Sequence, residues 1–215
     1  MDEMIKGIIF DFSGTLAYRV RPISYLTASK MLRKMGYDVW HQEWEAAYRF
    51  VFFVEYPKGG IRSYEDFLKR TFQLLHINPS KRDLKRIVRY YQKNDRFRFF
   101  PDVKYVRKIG LKKAILTTIA RFRFDFLDLS QFDPVMTGSE IGRAKPHPAG
   151  FLKIIKKWRL KPSEVLVVGD EPDLDIFPAK ELGFQTLLID RNNKYAGWKF
   201  KRIKDLKALA ELVGI

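Results

Sequence analysis

Short apolar runs that stop at a polar or acidic residue alternate with stretches whose apolar positions recur every three or four residues. This alternation predicts strands following helices. The first run, Ile8, Ile9 and Phe10, ends at Asp11, where Ser13, Gly14 and Thr15 supply turn chemistry. KAILT at 113–117, PVMTG at 134–138, VLVV at 165–168 and Gln185–Ile189 read as further strands. Residues 18–100 read instead as four helices with no strand between them. In the first, Tyr25, Ala28, Leu32 and Met35 share a face between Pro22 and Gly36; in the second, Trp44, Ala47, Tyr48, Val51 and Phe52 recur until Pro57 and Gly59-Gly60 break the pattern. Ser63 with Asp66, and Ser80 with Asp83, are capping signals for the third and fourth. The third buries Phe67, Leu68, Thr71 and Leu75. The fourth buries Leu84, Ile87, Val88 and Tyr91 and turns Arg82, Lys85, Arg86 and Arg89 outward as a basic stripe, read as a solvated face. Later helices carry Phe151, Ile154, Ile155 and Trp158, run up to Leu182 before Gly183, and span Asp205–Val213.

Strands alternating with helices predict an α/β fold, a three-layer Rossmann-like parallel sheet with a helical domain inserted after the first strand. The expected boundaries are 1–17 with 101–215 for the sheet domain and 18–100 for the insert. A chain of 215 residues is long enough for one α/β core and a smaller accessory domain. No apolar run approaches bilayer length, and MDEMIKGIIF lacks a signal-peptide pattern, so the expectation is a cytoplasmic protein without a membrane partner, monomeric or homodimeric. The absence of cysteine excludes disulfides, thiolate nucleophiles and thiolate metal sites, leaving carboxylates, hydroxyls, His and Lys to do chemistry. Forty-one Lys and Arg against 25 Asp and Glu give a formal charge of +16, which attracts anions. Nucleic acid is therefore a conceivable partner, though not the favoured one: the basic residues are dispersed, with no zinc-finger spacing or RNA-binding aromatic motif.

In a parallel sheet, ligands bind beyond the carboxyl ends of the strands. Asp11, Thr117, Lys145, Asp170 and Asp175 all fall at predicted strand ends or in the adjoining loops, so this fold brings them to one edge. Singly they are a turn acid, a strand hydroxyl, a surface lysine and two capping acids; jointly they make a site. Arg19 and Arg21 follow the first strand closely and are candidates for holding a substrate anion. The aromatic residues of the insert, Trp40, Trp44, Phe50, Phe52, Phe53 and Tyr56 among them, mostly suit a small helical core.

With DFSGT at 11–15, Thr117 after KAIL, Lys145 in AKPHP and GDEPDLD at 169–175, the chain resembles the haloacid dehalogenase superfamily. The four motifs occur in family order, and the insert resembles the helical cap of its phosphatase branch. The resemblance implies Asp11 as nucleophile, Thr117, Thr118 and Lys145 holding the transferring group with Arg19 and Ser13 near the substrate, and Mg2+ at Asp11, the Ser13 carbonyl, Asp170 and Asp175. A carboxylate attacking phosphorus splits one difficult hydrolysis into two steps, and the cationic groups offset the repulsion between anions. The implied substrate is a small organic phosphate monoester.

Ser13 departs from the pattern: phosphatases of the family usually carry a second Asp there, which protonates the leaving group and later activates water. Losing such a group removes about 10²- to 10⁴-fold of rate. His147 and Glu171 are nearby candidates to replace it, the plainer readings being a loop histidine with no chemical role and a glutamate that caps the following helix. Three alternatives stay open. A dehalogenase also lacks the second Asp, but generally lacks the acidic pair at 170 and 175 as well. A phosphonatase would need an imine-forming lysine among Lys30, Lys34 and Lys58, and a weakly active protein would bind phosphorylated ligands or nucleic acid through its basic surface.

Overall fold

The computed structural model describes residues 3–214. Four consecutive buried residues form the first strand, β1 (Gly7–Phe10), whose β-branched and aromatic side chains are covered on both faces. The chain then passes through β2 (Ala17–Arg19), runs the helices α1 (Tyr25–Lys34), α2 (His41–Phe50), α3 (Tyr64–Leu74) and α4 (Lys81–Asn94), and returns through β3 (Phe97–Phe99), which pairs with β2. After a single helical turn, α5 (Val103–Val106), come β4 (Lys112–Thr117), β5 (Val135–Thr137), α6 (Gly138–Ile141), α7 (Ala149–Trp158), β6 (Val165–Gly169), α8 (Phe177–Glu181), β7 (Gln185–Ile189), β8 (Arg202–Ile203) and α9 (Leu206–Leu212). Among the described residues, six strands form one sheet in the order β5–β4–β1–β6–β7–β8, with parallel pairing throughout. No helix of the described residues is long and apolar enough to cross a membrane.

This order puts β1 at the point where the chain changes direction across the sheet. From β4 the chain moves outward to β5, then crosses back over α7 to β6 on the other side of β1. Helix α7 lays Phe151, Ile154, Ile155 and Trp158 against Ile9 of β1, Ala114 and Leu116 of β4 and Val165 and Val167 of β6. The indole of Trp158 donates to the Asp133 carbonyl at 2.9 Å. Fully burying such side chains stabilises by roughly 1.5–3 kcal/mol each, so the strand ends that this packing fixes are rigid supports.

The described residues divide into two compact units. One holds the sheet, built from the chain up to Tyr18, Phe99–Ile119 and the chain from Asp128; the other is Arg19–Arg98 together with Ala120–Leu127. The helices of the second unit pack along their predicted apolar stripes, but Trp40, Phe50 and Phe53, expected with the aromatic core, are exposed, and Leu75 is only half-buried just past the end of α3. Ser24, Ser63 and Ser80 cap α1, α3 and α4 by accepting amides of the first turn, and Leu32, Trp44, Leu68, Phe72, Ile87 and Tyr91 form its core. Residues 120–127 were expected within the sheet domain. They join the helical unit because Phe122 packs on Tyr64 and Phe67 and Arg123 is buried against Asp95 at 2.6 Å. The expectation of no strand within 18–100 also needs correcting, since Phe97–Phe99 is a strand and pairs with Ala17–Arg19, which itself reaches into that range. At three residues it is too short for alternation to register in the sequence.

Candidate active site

The register of the sheet decides where the polar strand ends meet. Phe10 is level with Ile115 of β4 and Val168 of β6, so Asp11, Thr117 and Asp170 leave the same edge within about one residue of each other. The Asp11 amide donates to the Val168 carbonyl at 2.9 Å, continuing the ladder and aiming the carboxylate off the end of the sheet. After β6 the chain makes a wide π-type turn, Pro172–Ile176, which carries Asp175 back under the sheet edge. There the Asp175 amide donates to the Glu171 carbonyl at 2.9 Å, and its carboxylate accepts the Glu171 amide at 3.2 Å.

Lys145 arrives from the loop between α6 and α7 and joins these acids. Its ammonium lies 2.6 Å from Asp11 Oδ1 and 2.5 Å from Asp175 Oδ1, with all three side chains buried. Carboxylate oxygens of Asp11, Asp170 and Asp175 all lie within 4.8 Å of one another. Asp170 accepts the Thr15 hydroxyl at 3.2 Å. Two glycines allow this crowding. A methyl at Gly14, whose φ is +91°, would fall 2.1 Å from Asp170 Oδ2, and one at Gly169 would fall 2.3 Å from Asp175 Oδ2.

Three carboxylates around one ammonium leave an excess of negative charge. Burial, together with the charges of Asp11 and Asp175, pushes Asp170 up to about 8. Burial also raises Asp175, to about 7, against the pull of Lys145 and with the charge of Asp11 adding to the rise. For Lys145, burial alone would lower the ammonium, but the Asp11 and Asp175 carboxylates outweigh it and hold the group above the ordinary lysine range. The uncompensated acids are hard oxygen donors converging on one point, the donor set that suits a magnesium-sized divalent cation. Neutralisation by such a cation would replace the protons these raised acids otherwise hold.

The remaining residues singled out in the sequence fall in several places. Ser13 is half-buried in the loop after β1, bridging to Ala17. Thr117 is buried, with its hydroxyl accepting the Ile119 amide at 3.0 Å, and Thr118 beside it is half-buried. Arg19 belongs to the helical unit, where it pairs with the buried Asp95 at 2.7 Å. His147 is exposed, and its Nδ1 accepts the Ala149 amide at the start of α7. Glu171 is also exposed, with Lys194 3.7 Å away.

Arg191 escaped the sequence reading. It stands just past the end of β7, donates to the Gly14 and Thr15 carbonyls at 3.2 and 2.8 Å, and pairs through two nitrogens with Asp102 at 2.7 and 3.2 Å. Its guanidinium lies over the Phe100 ring at 3.7 Å. The loop that follows Asp11 is thus braced from the end of β7, two strands away in the sheet. The same strand-end rule that selected Asp170 would have flagged it in the run LLIDR.

A sequence profile of the haloacid dehalogenase-like hydrolases matches residues 5–183, the stretch that contains every member of the acidic cluster. The chain belongs to the haloacid dehalogenase-like hydrolase family. Among its relatives, a glyceraldehyde 3-phosphate phosphatase of Methanocaldococcus jannaschii is 29% identical over 99% of this chain and 97% of the relative. A phosphoglycolate phosphatase of Aquifex aeolicus is 26% identical over 96% and 97%. The crystal structure of a 2-haloacid dehalogenase from Pseudomonas syringae pv. Tomato superposes with a TM-score of 0.69 at 20% identity, covering 98% of both chains, a likeness of fold. Membership of this hydrolase family makes the protein an enzyme, and the Rossmann-like α/β architecture is the family's own.

Proposed function

We propose that the protein is a magnesium-dependent phosphatase of small organic phosphate monoesters that works through an aspartyl-phosphate on Asp11. The observation that carries this reading is the convergence of Asp11, Asp170 and Asp175 around Lys145 at the carboxyl edge of the sheet. Carbon–halogen displacement has no need of the Asp170–Asp175 pair, whereas phosphoryl transfer brings more negative charge to the nucleophile and requires added positive charge. The phosphatase names of the full-length relatives support the same choice.

Asp11, Asp170, Asp175 and the Ser13 carbonyl would hold the magnesium ion, which supplies neutralisation of the phosphoryl oxygens. One oxygen of Asp11 attacks phosphorus and the ester P–O bond breaks, leaving the phosphoryl group on Asp11 and the electron pair on the departing alkoxide. Lys145 holds Asp11 in place and faces the incoming phosphate with its charge. Thr117 and Thr118 donate hydrogen bonds to the phosphoryl oxygens, and Arg19 answers an anionic part of the substrate. Water then attacks the aspartyl-phosphate, releasing orthophosphate and restoring the carboxylate. The helical insertion acts as the cap that selects among substrates.

Ser13 provides no acid near neutral pH, so the alkoxide takes its proton from solvent. The enzyme therefore favours substrates with acidic leaving groups and turns over about 10²- to 10⁴-fold below its potential with poor ones. The test is phosphate release from a varied panel of monoesters, with and without magnesium, comparing wild type, Asp11→Asn and Ser13→Asp. Magnesium-dependent release lost in Asp11→Asn and increased in Ser13→Asp, most for poor leaving groups, is the expected result. Release that survives Asp11→Asn would refute the assignment.

A further inference from the structure

The helical unit contains a second constellation that uses none of the residues of the acidic cluster. Between α1 and α4 lies a groove of about 630 Å³ whose walls carry Lys30, Lys34, Arg86, Arg89 and Lys93. Its floor is apolar, formed by Met31, Met35 and Tyr90, all half-buried. Among the described residues no carboxylate lines it, and none of the five cations makes an ion pair. The ion pairs of this unit are placed elsewhere: Arg19 and Arg123 with Asp95, Arg49 with Glu45, Lys69 with Glu65 and Arg70 with Glu55. Asp83, an acid of α4 near Arg86, already accepts the Tyr37 and Ser80 hydroxyls.

This arrangement works against the helices that carry it. Lys30 and Lys34 are one turn apart on α1, as are Arg86, Arg89 and Lys93 along α4, and like charges at these spacings destabilise a helix. Capping and the buried stripe of Leu84, Ile87, Val88 and Tyr91 hold α4 together regardless. A bound polyanion would relieve the repulsion on both walls at once.

We propose that the groove is a binding site for an organic polyphosphate with a planar ring, a nucleoside triphosphate in chemical class. The volume falls in the roughly 300–1,000 Å³ range of small-molecule sites. Arg86 to Lys93 spans about 10 Å along the axis of α4, enough for several phosphates in series rather than one. Arg86 and Arg89 supply forked donors to phosphate oxygens, and the lysines complete the neutralisation. The Tyr90 ring and the methionine thioethers give the base an apolar, polarisable floor. A single-stranded nucleic acid would call for successive stacking platforms along an extended track, and this groove offers one ring.

The experiment is a fluorescence titration with the methylanthraniloyl derivative of ATP, in chelator and at low salt so that hydrolysis does not intervene. It uses the full chain as wild type, Arg86→Glu/Arg89→Glu and Asp11→Asn. Wild type and Asp11→Asn bind saturably with equal affinity, and the double variant binds at least about tenfold more weakly. Arg86→Gln/Lys93→Gln, which only neutralises charge, repeats the loss if the reversed pair does not fold. Any of four results overturns the proposal: no saturable binding to wild type, full affinity in either groove variant, loss of binding in Asp11→Asn, or displacement by a short oligonucleotide at far lower concentration than by ATP. The third would place the nucleotide at the acidic cluster instead, and the fourth would make the groove a nucleic-acid surface.

Discussion

Replacing Lys145 by Met keeps most of the side-chain volume and removes the single ammonium that serves Asp11 and Asp175. Two charge-assisted hydrogen bonds, at 2.6 and 2.5 Å, are lost. Each is worth about 1.5–3 kcal/mol, partly offset because the ammonium is no longer desolvated. Removing one partner from a buried charge cluster costs about 3–5 kcal/mol in net, and for a chain of this size that is a fall of about 6–20 °C in melting temperature. The loss depends on pH with a definite sign. Asp170 and Asp175 have raised folded values, about 8 and 7, so the folded protein without metal binds more protons than the unfolded chain between about pH 4 and those values. Wild-type stability in chelator therefore declines as pH rises through that window, by up to about 1.4 kcal/mol per pH unit for each excess proton. Lys145 lowers both acids, so its loss raises them further. The variant's deficit is accordingly largest near about pH 8 and shrinks toward about pH 5, where the acids are neutral. Thermal melts of both proteins in chelator across this range give the deficit directly. A deficit under about 1 kcal/mol at about pH 8, or one equal at both ends of the range, would refute the view that Lys145 compensates the buried carboxylates.

Further outcomes follow from the same geometry. Gly14→Ala places a methyl 2.1 Å from Asp170 Oδ2 at a φ of +91°, so Asp170 or the loop must move; magnesium affinity measured by calorimetry should fall by about tenfold or more. An unchanged affinity would mean that Asp170 takes no part in holding the metal. Arg191→Leu removes the Asp102 pair and both carbonyl contacts, costing about 2–4 kcal/mol in urea unfolding, and lowers kcat more than KM. Arg191→Lys should recover less than half of each effect because an ammonium cannot form the fork, and full recovery would count against the bracing role.

The legible and illegible parts of the sequence differ in physical kind. Asp11 and Asp170 were readable because a buried parallel strand is a continuous apolar run, so the polar residue that follows its end is conspicuous and its position on the sheet edge is fixed by topology, whereas Lys145, in a loop between two helices, was legible only through its AKPHP motif. The helices of the insertion were readable because each has a serine cap or an uninterrupted apolar stripe. Arg191 was passed over because its partners, Asp102 and two backbone carbonyls, are 89 to 177 residues away in sequence, and backbone acceptors leave no pattern. Residues 120–127 were misplaced for a related reason. Arg123 is buried against Asp95, whose carboxylate also accepts the Tyr64 hydroxyl at 3.0 Å, and an arginine in a loop reads as exposed until such a partner is known. The basic stripe of α4 was visible, but its meeting with the lysines of α1 depends on helix packing that periodicity does not specify.

The central claim is that Asp11 becomes phosphorylated. Rapid acid quench of the enzyme mixed with magnesium and a monoester that it turns over, followed by peptide mass spectrometry, tests this directly. The expected result is a transient phosphoryl adduct on the peptide containing Asp11, absent in Asp11→Asn and accumulating because Ser13 cannot activate the hydrolytic water. Turnover with no adduct on that peptide at any quench time, or with a phosphoryl group on a different residue, would contradict it.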